Sequence, residues 1–226
     1  MLIVELGHNH NGDMFTMRKL IRTAKDCGAD VVKFQLYKTD SLFKKDFEWY
    51  WDLKRGELTY SDWMKVAEEC RDVGIEFFAS VFDIERIKWC EDVKVKRYKI
   101  ASRSIYDKPL VDAIVQTGKP IIASLGMYYE DEFPPFNADF LYCIAKYPTP
   151  FIDLHLGSVD FNRYDGFSDH TIGIEAAMVA LSRGARIIEK HFTLDKTMDG
   201  ADHKGSMNPD ELRALVDFAN KVRVIL

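Results

Sequence analysis

The 226-residue sequence has no long apolar run, no basic tract and no closely spaced pair of cysteines. Without a signal peptide or an apolar span of bilayer length, neither secretion nor membrane insertion is expected. The formal net charge is −5 at pH 7, from 31 Lys and Arg against 36 Asp and Glu. An acidic chain without a lysine- and arginine-rich tract is not expected to bind nucleic acid or a membrane surface as its main function.

The four cysteines, Cys27, Cys70, Cys90 and Cys143, are scattered along the chain without any CxxC pair. This spacing does not support a structural zinc site, and it predicts reduced thiols in a cytoplasmic protein. The sequence also has neither a GxGxxG fingerprint nor a P-loop. Any anionic substrate must therefore be held by individually placed cations.

What the sequence does contain is an alternation of short apolar segments with helix-forming ones. Strands are predicted at 2–6, 31–37, 76–82, 97–102, 120–126, 141–148, 166–171 and 186–192. Helices are predicted from Asp13 to Cys27, at 60–73, 84–91, 107–117 and 174–181, and from Asp210 to the C-terminus. Eight strands with interspersed helices favour a single (β/α)8 TIM barrel domain over residues 1–226 rather than an open sheet.

This barrel is expected to be compact, because two connections are too short or too broken for full helices. They are residues 128–139, which contain two adjacent prolines, and residues 151–164. The connections after strands 5 and 6 are therefore predicted to be shortened. Residues 39–59, rich in aromatic and charged side chains, are predicted to form a long loop above the barrel.

Two histidines, His170 and His191, end the last two predicted strands, and a helix-forming segment separates them. A strand, helix, strand unit places its two strands in parallel, so that both ends emerge on one face. The histidines should then lie close together, with Ser168, Asp169 and Glu189 beside them. This arrangement indicates a metal or anion site.

Other strands also carry polar residues where a barrel would open into a common bowl. The candidates are Glu5, Lys33, Lys99, Ser102, Ser124, Lys146, Ser168, His170, Glu189 and His191. A lysine in a buried strand needs a carboxylate or a bound anion as partner. Lysines and hydroxyls suit a phosphate or carboxylate, and two imidazoles suit a divalent metal that also binds substrate. Each residue could instead be a satisfied polar group at a strand end, an alternative favoured for Lys146.

Eight motifs follow one another along the chain: Glu5-Leu6-Gly7 with Asn9-His10-Asn11-Gly12, Val32-Lys33-Phe34-Gln35, Tyr98-Lys99-Ile100-Ala101-Ser102, Ser124-Leu125-Gly126-Met127, Tyr147-Pro148-Thr149-Pro150, Ser168-Asp169-His170-Thr171, Glu189-Lys190-His191-Phe192 and the run from Gly200 to Pro209. Together they resemble the barrel domain of the N-acetylneuraminate (sialic acid) synthases and their relatives that make legionaminic and pseudaminic acids. The resemblance covers nearly the whole chain.

The resemblance implies condensation of phosphoenolpyruvate with the open-chain aldehyde of an N-acetylmannosamine-like sugar, giving a nine-carbon 2-keto acid and phosphate. It implies a divalent metal, most simply Mn²⁺ with Mg²⁺ or Co²⁺ as alternatives, held by His170 and His191. The other implied roles are phosphoenolpyruvate binding by Lys33, Lys99, Ser102, Ser124 and Ser168, sugar binding by Tyr147 and Asp202, and a place at the reacting centre for Glu5.

Two departures from the family pattern stand out. Arg103-Ser104 replaces a small residue followed by an acid that positions the attacking water. The family also normally adds a C-terminal antifreeze-like domain that caps the sugar site of a partner subunit, so the sugar pocket is predicted to be incomplete or closed by another component. A homodimer and a separate capping domain are the candidate partners. Two alternative functions stay open: a synthase acting on another aldose, and a catalytically weak barrel that serves as a binding or partner subunit.

Overall fold

The computed structural model describes residues 1–225, and its eight strands form a closed parallel barrel. The strands β1 to β8 are Leu2–Glu5, Val31–Leu36, Glu76–Val81, Tyr98–Ile100, Ile121–Ser124, Asp139–Cys143, Gly166–Asp169 and Ile187–His191. Each strand pairs with the next one along the chain, and β8 pairs with β1. This topology confirms the predicted TIM barrel.

Eight helices accompany the strands in residues 1–225. The helices α1 to α8 are Met14–Asp26, Thr39–Leu42, Tyr50–Arg55, Tyr60–Val73, Ile84–Asp92, Lys108–Val115, Glu175–Ser182 and Pro209–Ile225. The last helix was predicted to reach the C-terminus, and Leu226 lies outside the described residues. None of the described helices is both long enough and apolar enough to cross a membrane.

Side-chain caps determine where the first long helices begin. The Asp13 carboxylate accepts hydrogen bonds from the backbone amides of Phe15 and Thr16 at the start of α1. At the start of α4, Thr59 and Asp62 form a reciprocal capping box. Gly74 ends α4 with a φ of 66°, a conformation that favours glycine. These caps satisfy helix-end groups and hold the helices at defined points around the barrel.

The predicted shortening after β5 and β6 is confirmed. Residues 126–138 contain no helix, and the chain between β6 and β7 has only the 3-10 turns Phe151–Asp153 and Leu156–Ser158. Aromatic packing covers the barrel where the helix after β5 is missing, because the Phe133 ring centre lies 4.9 Å from those of both Phe140 and Tyr164. The loop therefore supplies apolar contacts in place of a helix.

The prediction of a long loop at residues 39–59 was wrong, because this stretch contains α2 and α3. Lys54 ties the two short helices together, with its Nζ 2.9 Å from Asp40 Oδ2 and 3.0 Å from Glu57 Oε2. Glu57 also accepts a hydrogen bond from the backbone amide of Thr39. Helices this short depend on tertiary contacts, which local helix propensity does not report.

The register of the strands gathers polar residues at the carboxyl end of the barrel. Glu5 is the Cα partner of Lys33 on one side and of His191 on the other, and Ser168 is paired with Glu189. Alternate residues of a strand face the barrel interior. Because the pairs are aligned, their inward side chains share one layer.

The four cysteines are all buried, and none of them forms a disulfide bond within residues 1–225.

Candidate active site

Two buried lysines and two buried carboxylates form the floor of the bowl. Lys33 and Lys99 are 3% and 2% exposed. The Lys33 ammonium is in direct contact with the Glu5 carboxylate, and lies 3.0 Å from Ser80 Oγ and 3.7 Å from Glu189 Oε1. The carboxylate partner that a buried lysine requires is thus present, and a bound anion is not needed to explain its burial.

Glu189 links the two lysines. Its Oε1 lies 3.3 Å from Lys99 Nζ and accepts a hydrogen bond of 3.2 Å from Ser168 Oγ, while Lys99 donates to Ser124 Oγ at 2.8 Å. Burial would raise the pKa of Glu189, but the ammonium groups of Lys33 and Lys99 outweigh this effect and lower it to about 2. Glu189 is therefore ionised near neutral pH.

The two histidines meet above this floor, with ring centres 5.9 Å apart. Burial lowers the pKa of His170 to about 3, and the neighbouring His191 acts in the same direction. His170 is therefore neutral near pH 7. Its Nδ1 lies 3.3 Å from the backbone oxygen of Ile144, and donation to that oxygen leaves Nε2 with its lone pair free.

The residues present fit a divalent metal ion. His191 Nδ1 is buried without a hydrogen-bond partner among residues 1–225, and the neutral His170 ring lies beside it. Imidazole nitrogen is a good ligand for several divalent ions. Residues 1–225 contain no group of three or more His, Cys, Asp and Glu side chains that could hold a metal. A bound ion would have two protein ligands here and open positions for other molecules.

Asp202 lies beside the two histidines and contacts His8, a residue that the sequence analysis did not identify as part of the site. Its Oδ2 is 3.1 Å from His8 Nδ1 and 3.6 Å from His191 Nδ1. Burial would raise the pKa of Asp202, but His191 and His8 outweigh it and hold the pKa well below its usual range. Gly7 permits this approach, because a Cβ there would lie 3.2 Å from Asp202 Oδ2. The signal in the sequence that could have identified His8 as a site residue was its position in the turn directly after β1.

Tyr147 stands at the mouth of the bowl. The residue is 63% exposed, and its ring centre lies 4.2 Å from that of His170 and 6.4 Å from that of His191. The structure therefore brings the tyrosine after β6 to the two histidines.

Ser102 lines a small cavity at the centre of the bowl, whereas the next two residues, Arg103 and Ser104, do not. The Ser102 hydroxyl accepts a hydrogen bond from the Gly126 amide at 3.1 Å. The Arg103 guanidinium lies over the Phe43 ring, 4.8 Å from its centre, and Ser104 is buried. The bowl thus has no carboxylate at the position that follows β4.

A cavity of about 60 Å³ occupies the centre of the bowl and brings together most of the predicted residues. Its predicted lining residues are Glu5, Lys33, Lys99, Ser102, Ser124, Tyr147, Ser168, His170, Glu189 and His191. Sequence analysis did not single out Ser80 and Cys143, which also line it, although strand alternation places Ser80 on the inward face. Lys146 does not line it. Its Nζ pairs with Asp153 at 2.8 Å on the surface, as the alternative favoured for Lys146 predicted.

A larger cavity, of about 520 Å³, lies elsewhere, between the end of α4 and the start of β4. It contains none of the predicted site residues. Its charged residues include Glu76 and Lys96, which form an ion pair near the surface with a distance of 3.8 Å from Lys96 Nζ to Glu76 Oε2. The small cavity is the stronger candidate, because buried charges and imidazoles converge there at the carboxyl ends of the strands.

Comparison with known proteins gives consistent results. Residues 20–226 match the NeuB family. An uncharacterised protein of Methanocaldococcus jannaschii is 37% identical over 99% of this chain and 70% of its own length. The N,N'-diacetyllegionaminic acid synthase of Legionella pneumophila is 34% identical over 100% of this chain and 72% of its own length.

A solved structure has the same architecture. The N-acetylneuraminic acid synthetase of Leptospira borgpetersenii, in complex with citrate, superposes with a TM-score of 0.92 at 31% identity. The match covers 99% of this chain and 84% of that chain.

Proposed function

Since this chain belongs to the NeuB family, we propose that it is a sialic-acid-type synthase. The proposed reaction joins C3 of phosphoenolpyruvate to the aldehyde carbon of an N-acetylmannosamine-like aldose. Water adds at C2 of the donor, and the bond from C2 to the phosphate oxygen breaks, which gives a nine-carbon 2-keto acid and phosphate. The observation that carries this proposal is the convergence of Lys33, Lys99 and the two histidines in one buried bowl.

The lysines and hydroxyls are the proposed phosphoenolpyruvate site. Lys33 and Lys99 supply positive charge, and the donors of Ser102, Ser124 and Ser168 replace water around the phosphate and carboxylate oxygens. Glu5 and Glu189 balance the two ammonium charges before a ligand enters. The cavity of about 60 Å³ is smaller than the donor, so we expect Lys33 to turn away from Glu5 when the anion binds.

Glu5 is the proposed proton acceptor at the reacting centre. Its Oε1 accepts a hydrogen bond of 2.6 Å from the Gly7 amide, which holds the carboxylate at the end of β1. Glu189 is held by both lysines, whereas Lys33 is the only cationic partner of Glu5 among residues 1–225. When Lys33 turns to contact phosphoenolpyruvate, Glu5 loses its ammonium partner, whereas Glu189 keeps its contact with Lys99. Glu5 is then placed to take the proton from the water that attacks C2, a role that Ser104 cannot fill.

His170 and His191 are the proposed ligands of a divalent ion, most simply Mn²⁺, with Mg²⁺ or Co²⁺ as alternatives. Such an ion would supply a Lewis acid for the aldehyde oxygen. His170 contributes by staying neutral, and its contact with the Ile144 backbone oxygen orients the ring.

Tyr147 and Asp202 are the proposed contacts to the aldose. Tyr147 offers a ring face at the mouth, and the Asp202 carboxylate can accept hydrogen bonds from sugar hydroxyls. The exposure of Tyr147 means that a bound sugar would be open to solvent in this chain alone. Closure by a second copy or by a separate capping domain stays a prediction, which sedimentation with and without both substrates would test.

The proposal is tested by measuring phosphate release from phosphoenolpyruvate with Mn²⁺ and a panel of N-acetylated and plain aldoses. A product with the mass of a nine-carbon 2-keto acid is the expected result. Turnover with plain aldoses alone would indicate a synthase for another acceptor. Metal binding without turnover of any aldose would favour the binding or partner subunit.

A further inference from the structure

A buried ion pair lies on the opposite side of the barrel wall from the two histidines. Lys190 Nζ is 3.0 Å from Asp169 Oδ2, and the two side chains are 1% and 0% exposed. The residues are Cα partners in the pairing of β7 with β8. Side chains alternate across a strand, so Asp169 and Lys190 face the helix layer while His170 and His191 face the bowl.

Both charged groups are also bonded to the backbone next to His170. Lys190 Nζ donates to the Thr171 carbonyl oxygen at 2.6 Å, and the Thr171 amide donates to Asp169 Oδ1 at 2.8 Å. These bonds close a ring of contacts from β8 to the residues on both sides of His170. The backbone oxygen of His170 is held from the other side by the Thr149 amide at 2.9 Å.

Stability alone does not explain this pair. Replacing a buried ion pair by well-packed apolar residues is often neutral or stabilising, because removing two charges from water is costly. An apolar pair would fill the same space, but it could not bond to both the amide and the carbonyl of Thr171. The property specific to this pair is that it fixes the backbone between neighbouring strand ends.

We propose that Asp169 and Lys190 are positioning residues that set the separation and orientation of the His170 and His191 imidazoles for one divalent ion. The inference rests on the metal site of the proposed function. His170 directly follows Asp169, and His191 directly follows Lys190, so a shift of either backbone moves an imidazole. The pair ties the two strands together one residue before each histidine, where the strand ladder ends.

The test uses the double variant Asp169→Asn/Lys190→Met. It removes both charges together, keeps a side-chain oxygen that can accept from the Thr171 amide, and preserves most of the buried volume. The matched control is Glu211→Gln/Lys196→Met, which removes a neighbouring ion pair with an Nζ to Oε1 distance of 2.5 Å. Mn²⁺ affinity is measured by electron paramagnetic resonance of the free ion, and thermal unfolding is measured without metal.

We expect the double variant to unfold close to the wild-type temperature and to bind Mn²⁺ about 10- to 100-fold more weakly, the range seen when groups that orient metal ligands are removed. The control should keep wild-type affinity. Wild-type Mn²⁺ affinity in the folded double variant would overturn the inference. Absence of Mn²⁺ binding by the wild type would instead overturn the metal site of the proposed function.

A second variant covers the case in which the double variant does not fold. Asp169→Glu keeps both charges and lengthens the carboxylate by one methylene, which displaces Thr171 and the adjoining His170. We expect this variant to fold and to show weakened Mn²⁺ binding, with catalysis lost in proportion to ion occupancy. A folded Asp169→Glu protein with unchanged affinity would contradict the positioning role.

Discussion

The Glu189 carboxylate lies 3.3 Å from the Lys99 ammonium, and both residues are buried at the floor of the bowl. The pair joins the proposed anion site to β8, the strand that carries His191. The contact thus connects Lys99, a proposed phosphoenolpyruvate ligand, with the strand that carries a proposed metal ligand.

The first prediction concerns the acid stability of the protein. The pKa of Glu189 is about 2 in the folded state and close to 4.5 for a free side chain. Its contribution to stability is therefore complete above about pH 4.5 and is lost as the pH falls towards 2. The shift corresponds to about 3 kcal/mol. Urea unfolding across this range should show a steeper loss for the wild type than for Glu189→Gln, and parallel curves would contradict the prediction.

The second prediction assigns Lys99 to the anion site. Lys99→Met removes one ammonium group and leaves Glu189 paired with Lys33, so we expect a folded protein. Loss of a hydrogen bond to a charged ligand should weaken phosphoenolpyruvate binding about 10- to 100-fold. Calorimetric titration measures this change. Lys146→Met, which removes a surface lysine, is the control, and wild-type affinity in Lys99→Met would exclude Lys99 from the site.

The third prediction concerns the metal. His191→Ala removes one of two proposed ligands and a ring nitrogen that has no hydrogen-bond partner among the described residues, so the barrel should still fold. We expect Mn²⁺ binding to be abolished in a titration followed by electron paramagnetic resonance. The exposed residue His155 provides the control variant His155→Asn. Unchanged Mn²⁺ affinity in a folded His191→Ala protein would refute the assignment.

The fourth prediction separates binding from chemistry at Glu5. Glu5→Gln keeps an oxygen for the Gly7 amide but removes the proposed proton acceptor and the charge that holds Lys33. We expect kcat to fall about 10²- to 10⁴-fold. Affinity for phosphoenolpyruvate should stay equal or rise, because Lys33 is released for the ligand. A kcat within a few-fold of the wild-type value would remove Glu5 from the reaction.

The barrel and most of the bowl could be predicted from the amino-acid sequence. Short, largely apolar segments alternate with helix-forming ones, and Lys33, Lys99 and Glu189 place charges in strand segments where burial is costly. His170 and His191 could be placed together because a crossover helix returns the chain to the neighbouring parallel strand. The absence of full helices after β5 and β6 could likewise be predicted, from the adjacent prolines in residues 128–139 and from the shortness of the two connecting segments.

The pairing of the charged residues could not be predicted from the sequence and became visible in the folded barrel. Glu189 contacts Lys33 and Lys99 from two different strands, His8 meets Asp202 across 194 positions of sequence, and α2 is held to α3 through Lys54. Such contacts depend on side-chain direction and strand register, which local periodicity leaves open. The same holds for the Asp169 and Lys190 pair, because a motif shows two charged residues but not that both bond to the backbone beside a histidine.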